Sequence, residues 1–196
     1  MVRSFVVVVD VQEDFIARDG ALPVPGADAL VGPIERWLGA LPPEETAGVL
    51  FTFDTHLPET YPGSAEAERF PPHCLRHTPG WGLAINLDAV DRAVPRYRLE
   101  KGVFDMWAEP GLAVERMDAA GAPPVDRDRF FDSLRADGVN RAIVIGVAAD
   151  FCVRWAVEGL LARGFDVTIS RDLTAGIAQD AAAVAAEIGS DRLVLA

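Results

Sequence analysis

Phe5-Val6-Val7-Val8-Val9-Asp10 is an unbroken apolar run closed by a carboxylate, and Ala142-Ile143-Val144-Ile145-Gly146 repeats the apolar pattern far down the chain. Continuous β-branched runs of this length suit strands buried on both faces, which means a parallel sheet covered by helices. Residues 49–53, 96–99, 167–170 and 193–195 read as further short strands. Helices are expected over 27–41, 127–137, 152–163 and 181–188, with Gly138 just past the end of the second. Strands alternating with helices and joined by right-handed crossovers build an α/β fold, a doubly wound three-layer α/β/α sandwich.

At 196 residues, half of them apolar, the chain 1–196 fits a single domain with a sizeable core. A net charge of -12 with no local run of Lys or Arg argues against nucleic acid and against anionic membrane surfaces as partners. The apolar stretch after Met-Val-Arg-Ser is too short for a secretion signal or a membrane span, so a cytoplasmic protein is expected. In that reducing compartment Cys74 and Cys152 stay thiols. Residues 57–83 are the one long irregular region, rich in Pro and Gly and carrying His73 and His77. A loop of that length in a compact domain more often serves a function, and here it is expected to wall the active site.

Ligands of open parallel sheets bind beyond the carboxyl ends of the strands. Asp10, Asp54 with His56, Lys101, and 150–152 all fall at such ends. Cys152 opens a helical stretch, where the helix dipole and free N–H groups favour a nucleophilic thiolate and an oxyanion site; a buried small apolar residue is the other reading. Asp10 can accept the thiol proton in a dry site, or simply cap a turn. Lys101 can hold the carboxylate and thiolate in register, or be a solvated lysine.

Asp54-Thr55-His56 sets a carboxylate and an imidazole two positions apart, facing one way in extended backbone. These O and N donors suit zinc, manganese or iron, although two surface residues beside a turn would read the same. His73 offers a third ligand and Glu66 a fourth. Cys74 is assigned to packing and His77 to the loop. Among the aromatics, Phe15, Phe70, Trp81 and Trp107 lie near these segments and can stack on a flat substrate ring.

Asp10-Val11-Gln12-Glu13-Asp14-Phe15, Phe70-Pro71-Pro72-His73-Cys74, Thr78-Pro79-Gly80, Gly146-Val147-Ala148-Ala149-Asp150-Phe151-Cys152-Val153 and Asp172-Leu173-Thr174-Ala175-Gly176 are specific as a set. In this order and spacing the chain resembles the isochorismatase-like cysteine hydrolase superfamily, and within it the nicotinamidases. That resemblance implies six parallel strands in the order 3-2-1-4-5-6. It implies a triad of Asp10 (base), Lys101 (charge partner) and Cys152 (nucleophile). A cis peptide between Val147 and Ala148 would aim the N–H groups of Ala148 and Cys152 at an oxyanion. One divalent metal ion, zinc first with manganese or iron as alternatives, would sit on Asp54, His56 and His73 with Glu66. Phe15 and Phe70 would pack against the substrate ring; Trp107 is a further substrate-binding candidate from its place near these segments rather than from the resemblance.

The reaction implied is hydrolysis of a small amide, nicotinamide to nicotinate, a step of NAD salvage, by a homo-oligomer. Gly102-Val103-Phe104-Asp105-Met106-Trp107 and Arg76-His77 depart from the nicotinamidase pattern, and both flank the pocket. Other substrates for the same triad are an amide, lactam, N-carbamoyl compound or ureide. A non-catalytic α/β binding or redox-sensing protein, in which Cys152 only oxidises, is the alternative from another class. A nucleotide-binding protein is disfavoured, since no Gly-x-Gly-x-x-Gly follows the first strand.

Overall fold

A computed structural model describes residues 3–196. The strands are β1 (Ser4–Val9), β2 (Thr46–Asp54), β3 (Arg96–Lys101), β4 (Ala113–Arg116), β5 (Val125–Asp126), β6 (Arg141–Gly146), β7 (Asp166–Thr174) and β8 (Leu193–Leu195). They form one sheet in the order β5-β4-β3-β2-β1-β6-β7-β8. From β3 to β8 every neighbouring pair is parallel, so these six strands have the expected 3-2-1-4-5-6 order. The expectation of six strands is corrected to eight, because β4 and β5 add antiparallel to the outer side of β3. Glu115 and Arg116 in β4 and both residues of β5 are exposed. Such short, polar edge strands lack an apolar run and protect the sheet from further pairing.

Side chains alternate along β1 and divide the core into two layers. Phe5, Val7 and Val9 pack under α3 (Arg127–Ala136) and α4 (Arg154–Ala162), against Phe131, Val157 and Leu160. Val6 and Val8 face the opposite layer with Ile34 and Leu38 of α2 (Val31–Gly39) and Phe15 and Ile16 of the single turn α1 (Glu13–Ile16). The last helix, α5 (Ala181–Ile188), is capped by the Asp180 carboxylate, which accepts from Ala183 N–H at 2.8 Å. Among the described residues no helix is long and apolar enough to cross a membrane.

Two local departures matter for the site. The helix expected from Cys152 starts instead at Arg154; Cys152 lies in a widened turn, Ala149–Val153, bent at Phe151 (φ -129°, ψ -106°). The Val147–Ala148 peptide before it is cis, as the resemblance implied. Gly146 enters this turn at φ +112°, and a Cβ there would meet the Val9 carbonyl oxygen at 2.2 Å, so β1 and β6 converge only because the residue is glycine.

Candidate active site

Asp10, Asp54 and Lys101 follow or end three adjacent strands, and Cys152 follows the fourth, so the sheet brings all four side chains together. Lys101 Nζ lies 2.9 Å from Asp10 Oδ2, 3.3 Å from Asp54 Oδ1 and 3.4 Å from Cys152 Sγ. All four are buried, with Lys101 only 2% exposed. Asp10 adopts a left-handed backbone (φ 47°), held by a reciprocal pair in which its N–H donates to Thr52 Oγ1 and the Thr52 hydroxyl donates to Asp10 Oδ1 at 2.6 Å.

The charges are mutually dependent. Burial works against the Lys101 ammonium, but Asp10 and Asp54 outweigh it and raise its pKa well above the ordinary value. Burial likewise opposes the Asp54 carboxylate, and Lys101 with the two histidines holds it well below the usual range. For Cys152 burial dominates and raises the thiol pKa well above its ordinary value; Lys101 opposes this, while the Asp10 and Asp54 carboxylates add to it. The sulfur sits inside a bent turn rather than at the regular helix start expected from the sequence.

Asp54, His56, Glu66 and His73 form a second buried cluster in direct contact with the first, their four donor atoms all within 4.8 Å of one another. His56 Nε2 is 3.2 Å from Asp54 Oδ2 and 3.1 Å from Glu66 Oε2, and His73 Nε2 is 3.1 and 3.8 Å from the same two oxygens. Tetrahedral zinc bonds of about 2.0–2.1 Å separate neighbouring donors by roughly 3.3 Å, so the cluster fits a small divalent ion. Glu66 Oε1 is buried with no hydrogen-bond partner among the described residues, as an oxygen reserved for such an ion would be. His73 Nδ1 lies 2.8 Å from the Pro71 carbonyl; donating there leaves the Nε2 lone pair aimed into the cluster.

The long loop delivers His73 by running beside the end of β2: His56 N–H donates to the Cys74 carbonyl, and Arg76 N–H to the His56 carbonyl. Cys74 is fully buried in the apolar layer beneath, in the packing role expected of it. Gln12 secures the other side, donating from Nε2 to the Asp54 and Trp81 carbonyls and accepting Asp54 N–H at 2.8 Å. Gln12 and Thr52 were missed in the sequence, although Gln12 lies inside the first motif.

A cavity of only about 20 Å³ has Cys152 in its lining, together with Phe15, Phe70, Phe104, Ala148 and Phe151 among others. Ala148 N–H has no acceptor among the described residues. Phe15 and Phe70 also face His73, with ring centroids 5.3 and 6.4 Å away. Trp107 is not at this cavity. Its indole packs 4.9 Å from Phe131, under the Arg163 guanidinium, and donates to the Trp155 carbonyl. Gly159 in α4 leaves it room, since a Cβ there would lie 2.0 Å from Trp107 Nε1. Phe104 and Phe151, neither of them singled out from the sequence, occupy the wall instead.

Residues 4–192 match the Isochorismatase domain model. The chain is 32% identical to a nicotinamidase/pyrazinamidase of Mycobacterium tuberculosis, over 92% of this chain and 91% of that one. Among solved structures, a pyrazinamidase of Pyrococcus horikoshii in complex with zinc is 26% identical with a TM-score of 0.70, covering 99% of this chain and 98% of the other. PnC1 from L. infantum, in complex with nicotinate, is also 26% identical, with a TM-score of 0.72 and coverage of 99% and 92%. The chain belongs to the isochorismatase family.

Proposed function

We propose that this protein is a cysteine amidohydrolase that releases ammonia from a small flat amide, nicotinamide first, by way of a thioester on Cys152. The observation that carries this reading is the position of Lys101, whose one ammonium touches the thiol, the carboxylate beside it and the metal-type cluster at once.

In the reaction Asp10 takes the thiol proton as Sγ attacks the amide carbonyl carbon, and Lys101 offsets the negative charge that collects between them. The oxyanion of the tetrahedral intermediate is received by the N–H groups of Ala148 and Cys152. Asp10 returns the proton to the departing nitrogen, so ammonia leaves and the acyl group stays on sulfur. Water, deprotonated by the same carboxylate, then cleaves the thioester to the acid and restores the thiol. A divalent ion on Asp54, His56, Glu66 and His73, zinc first and manganese or iron otherwise, would supply a Lewis-acid anchor for the ring nitrogen of a pyridine or pyrazine amide.

Action in the cytoplasm within NAD salvage, by a homo-oligomer, completes the proposal; two free, buried thiols suit a reducing compartment. A second reading keeps the triad and changes the substrate to another amide, lactam, N-carbamoyl compound or ureide. It is favoured by Phe104, which occupies the pocket wall where the sequence departs from the nicotinamidase pattern. An ammonia assay across nicotinamide, pyrazinamide and an N-carbamoyl and ureide panel separates the two. Turnover of the pyridine amides supports the first, and turnover confined to the other compounds replaces it with the second.

A further inference from the structure

The space beside Cys152 is too small for the chemistry assigned to it. About 20 Å³ accommodates roughly one water, whereas sites for small organic ligands commonly measure several hundred Å³. Directly outside lie two larger hollows. One, of about 590 Å³, is lined by Glu66, Arg69, Val103, Phe104, Ala108 and Trp155 among others. The other, of about 470 Å³, includes Arg69, Phe104, Phe151 and Trp155 in its lining. Phe104 is the one residue among those described that lines all three.

Its ring sits edge-on to Phe70 (centroids 5.7 Å apart, interplanar angle 89°) and tilted against Phe151 (5.2 Å, 58°), so three packed phenylalanines share the lining of the small cavity with Cys152. Phe70 is backed by the Tyr61 hydroxyl on its own carbonyl, and the Arg69 guanidinium lies 5.5 Å from both the Phe70 and Phe151 rings.

Phe104 has fewer ties, and those in its segment hold the backbone around it. Glu109 Oε2 accepts Gly102 N–H at 2.7 Å, Asp105 Oδ1 accepts Trp107 N–H at 2.8 Å, and Arg127 donates to the Met106 and Glu109 carbonyls. With the chain tied on both sides and a hollow of about 590 Å³ next to the ring, access can open by side-chain rotation without loop displacement.

We propose that Phe104 is the gate of the site and a determinant of its specificity: the ring turns outward to join the inner cavity to the outer hollow, and its bulk limits which amides reach Cys152. The proposal rests on the assignment of Cys152 as the reacting group. If the open rotamer is a minor state of about 1–10%, removing the ring raises access about tenfold to a hundredfold.

Alkylation of Cys152 by iodoacetamide, itself a small primary amide, and by an N-aryl iodoacetamide reads this access without turnover. Rates are taken by peptide mass mapping in the wild type and in Phe104→Ala, with Phe104→Leu as a milder truncation in case the first variant folds poorly. Both reagents are expected to react faster in the variants, the N-aryl reagent by the larger factor. An unchanged ratio of the two rates in a folded variant overturns the gate and leaves the amidase reading intact. Failure to hydrolyse nicotinamide, with the altered ratio present, sinks the substrate assignment and leaves the gate standing.

Discussion

Replacing Lys101 with Met keeps a long unbranched side chain in place and removes the one cation that Asp10, Asp54 and Cys152 share. All of these side chains are at most a few per cent exposed, so water does not replace the lost partner. Breaking a buried ion pair by deleting one member costs about 3–5 kcal/mol. For a chain of this size each kcal/mol shifts the melting temperature by about 2–4 °C, so the variant should melt about 6–20 °C lower in chelator at neutral pH. The loss has a defined pH window. Asp54, lowered from 3.8, contributes stability above that value and loses it as pH falls through its folded pKa. Lys101, raised from 10.5, contributes fully below that value and loses it as pH rises through its folded pKa. The gap between wild type and variant should therefore be widest between these limits and close toward strong acid. Adding zinc or manganese should recover part of it, since a cation at Asp54 replaces half of what Lys101 neutralised. Thermal melts followed by circular dichroism across this pH range decide the matter. A shift below about 2 °C, or one that persists unchanged in acid, refutes the electrostatic account.

Burial disfavours a charged His56, but Asp54 and Glu66 overcome this and raise its pKa to about 9. A metal must displace that proton, so competition against a coloured chelator should show affinity rising about tenfold per pH unit up to about pH 9, and a flat profile contradicts the cluster. Thr52→Val keeps the shape but removes the hydroxyl from Asp10; urea unfolding should register a loss of about 1.5–3 kcal/mol, and kcat/KM should fall with it. Gly146→Ala places a methyl against the Val9 carbonyl at a positive φ, so the variant should lose at least about 1–3 kcal/mol and express poorly, whereas wild-type stability would show that the turn can relax.

What could be read in advance depended on how locally each feature is encoded. Val6–Val9 and residues 142–145 declare buried strands within a handful of positions, and the polar residues that follow such strands mark the crevice by topology alone. β4 and β5 were unreadable because exposed charged edges carry no apolar signature. Thr52 and Gln12 act across 42 positions, through hydrogen bonds that exist only once β1 and β2 are paired. Phe104 and Trp107 are three positions apart in one segment, and nothing in their spacing says which faces the sulfur. Gly159, far along the chain, leaves the room that Trp107 takes on α4, whereas Phe104 lines the cavity with Cys152. The upward push on the Cys152 thiol was likewise invisible, because it comes first from burial, with Lys101 opposing and Asp10 and Asp54 on other strands adding to it.

The thioester is the centre of the account, and it can be weighed directly. Protein mixed with nicotinamide, quenched in acid within the first turnovers and digested, should yield the Cys152 peptide carrying one nicotinoyl group. Cys152→Ala should remain folded, carry no adduct and release no ammonia. Full ammonia release from that variant, or an adduct on a residue other than Cys152, would contradict the mechanism.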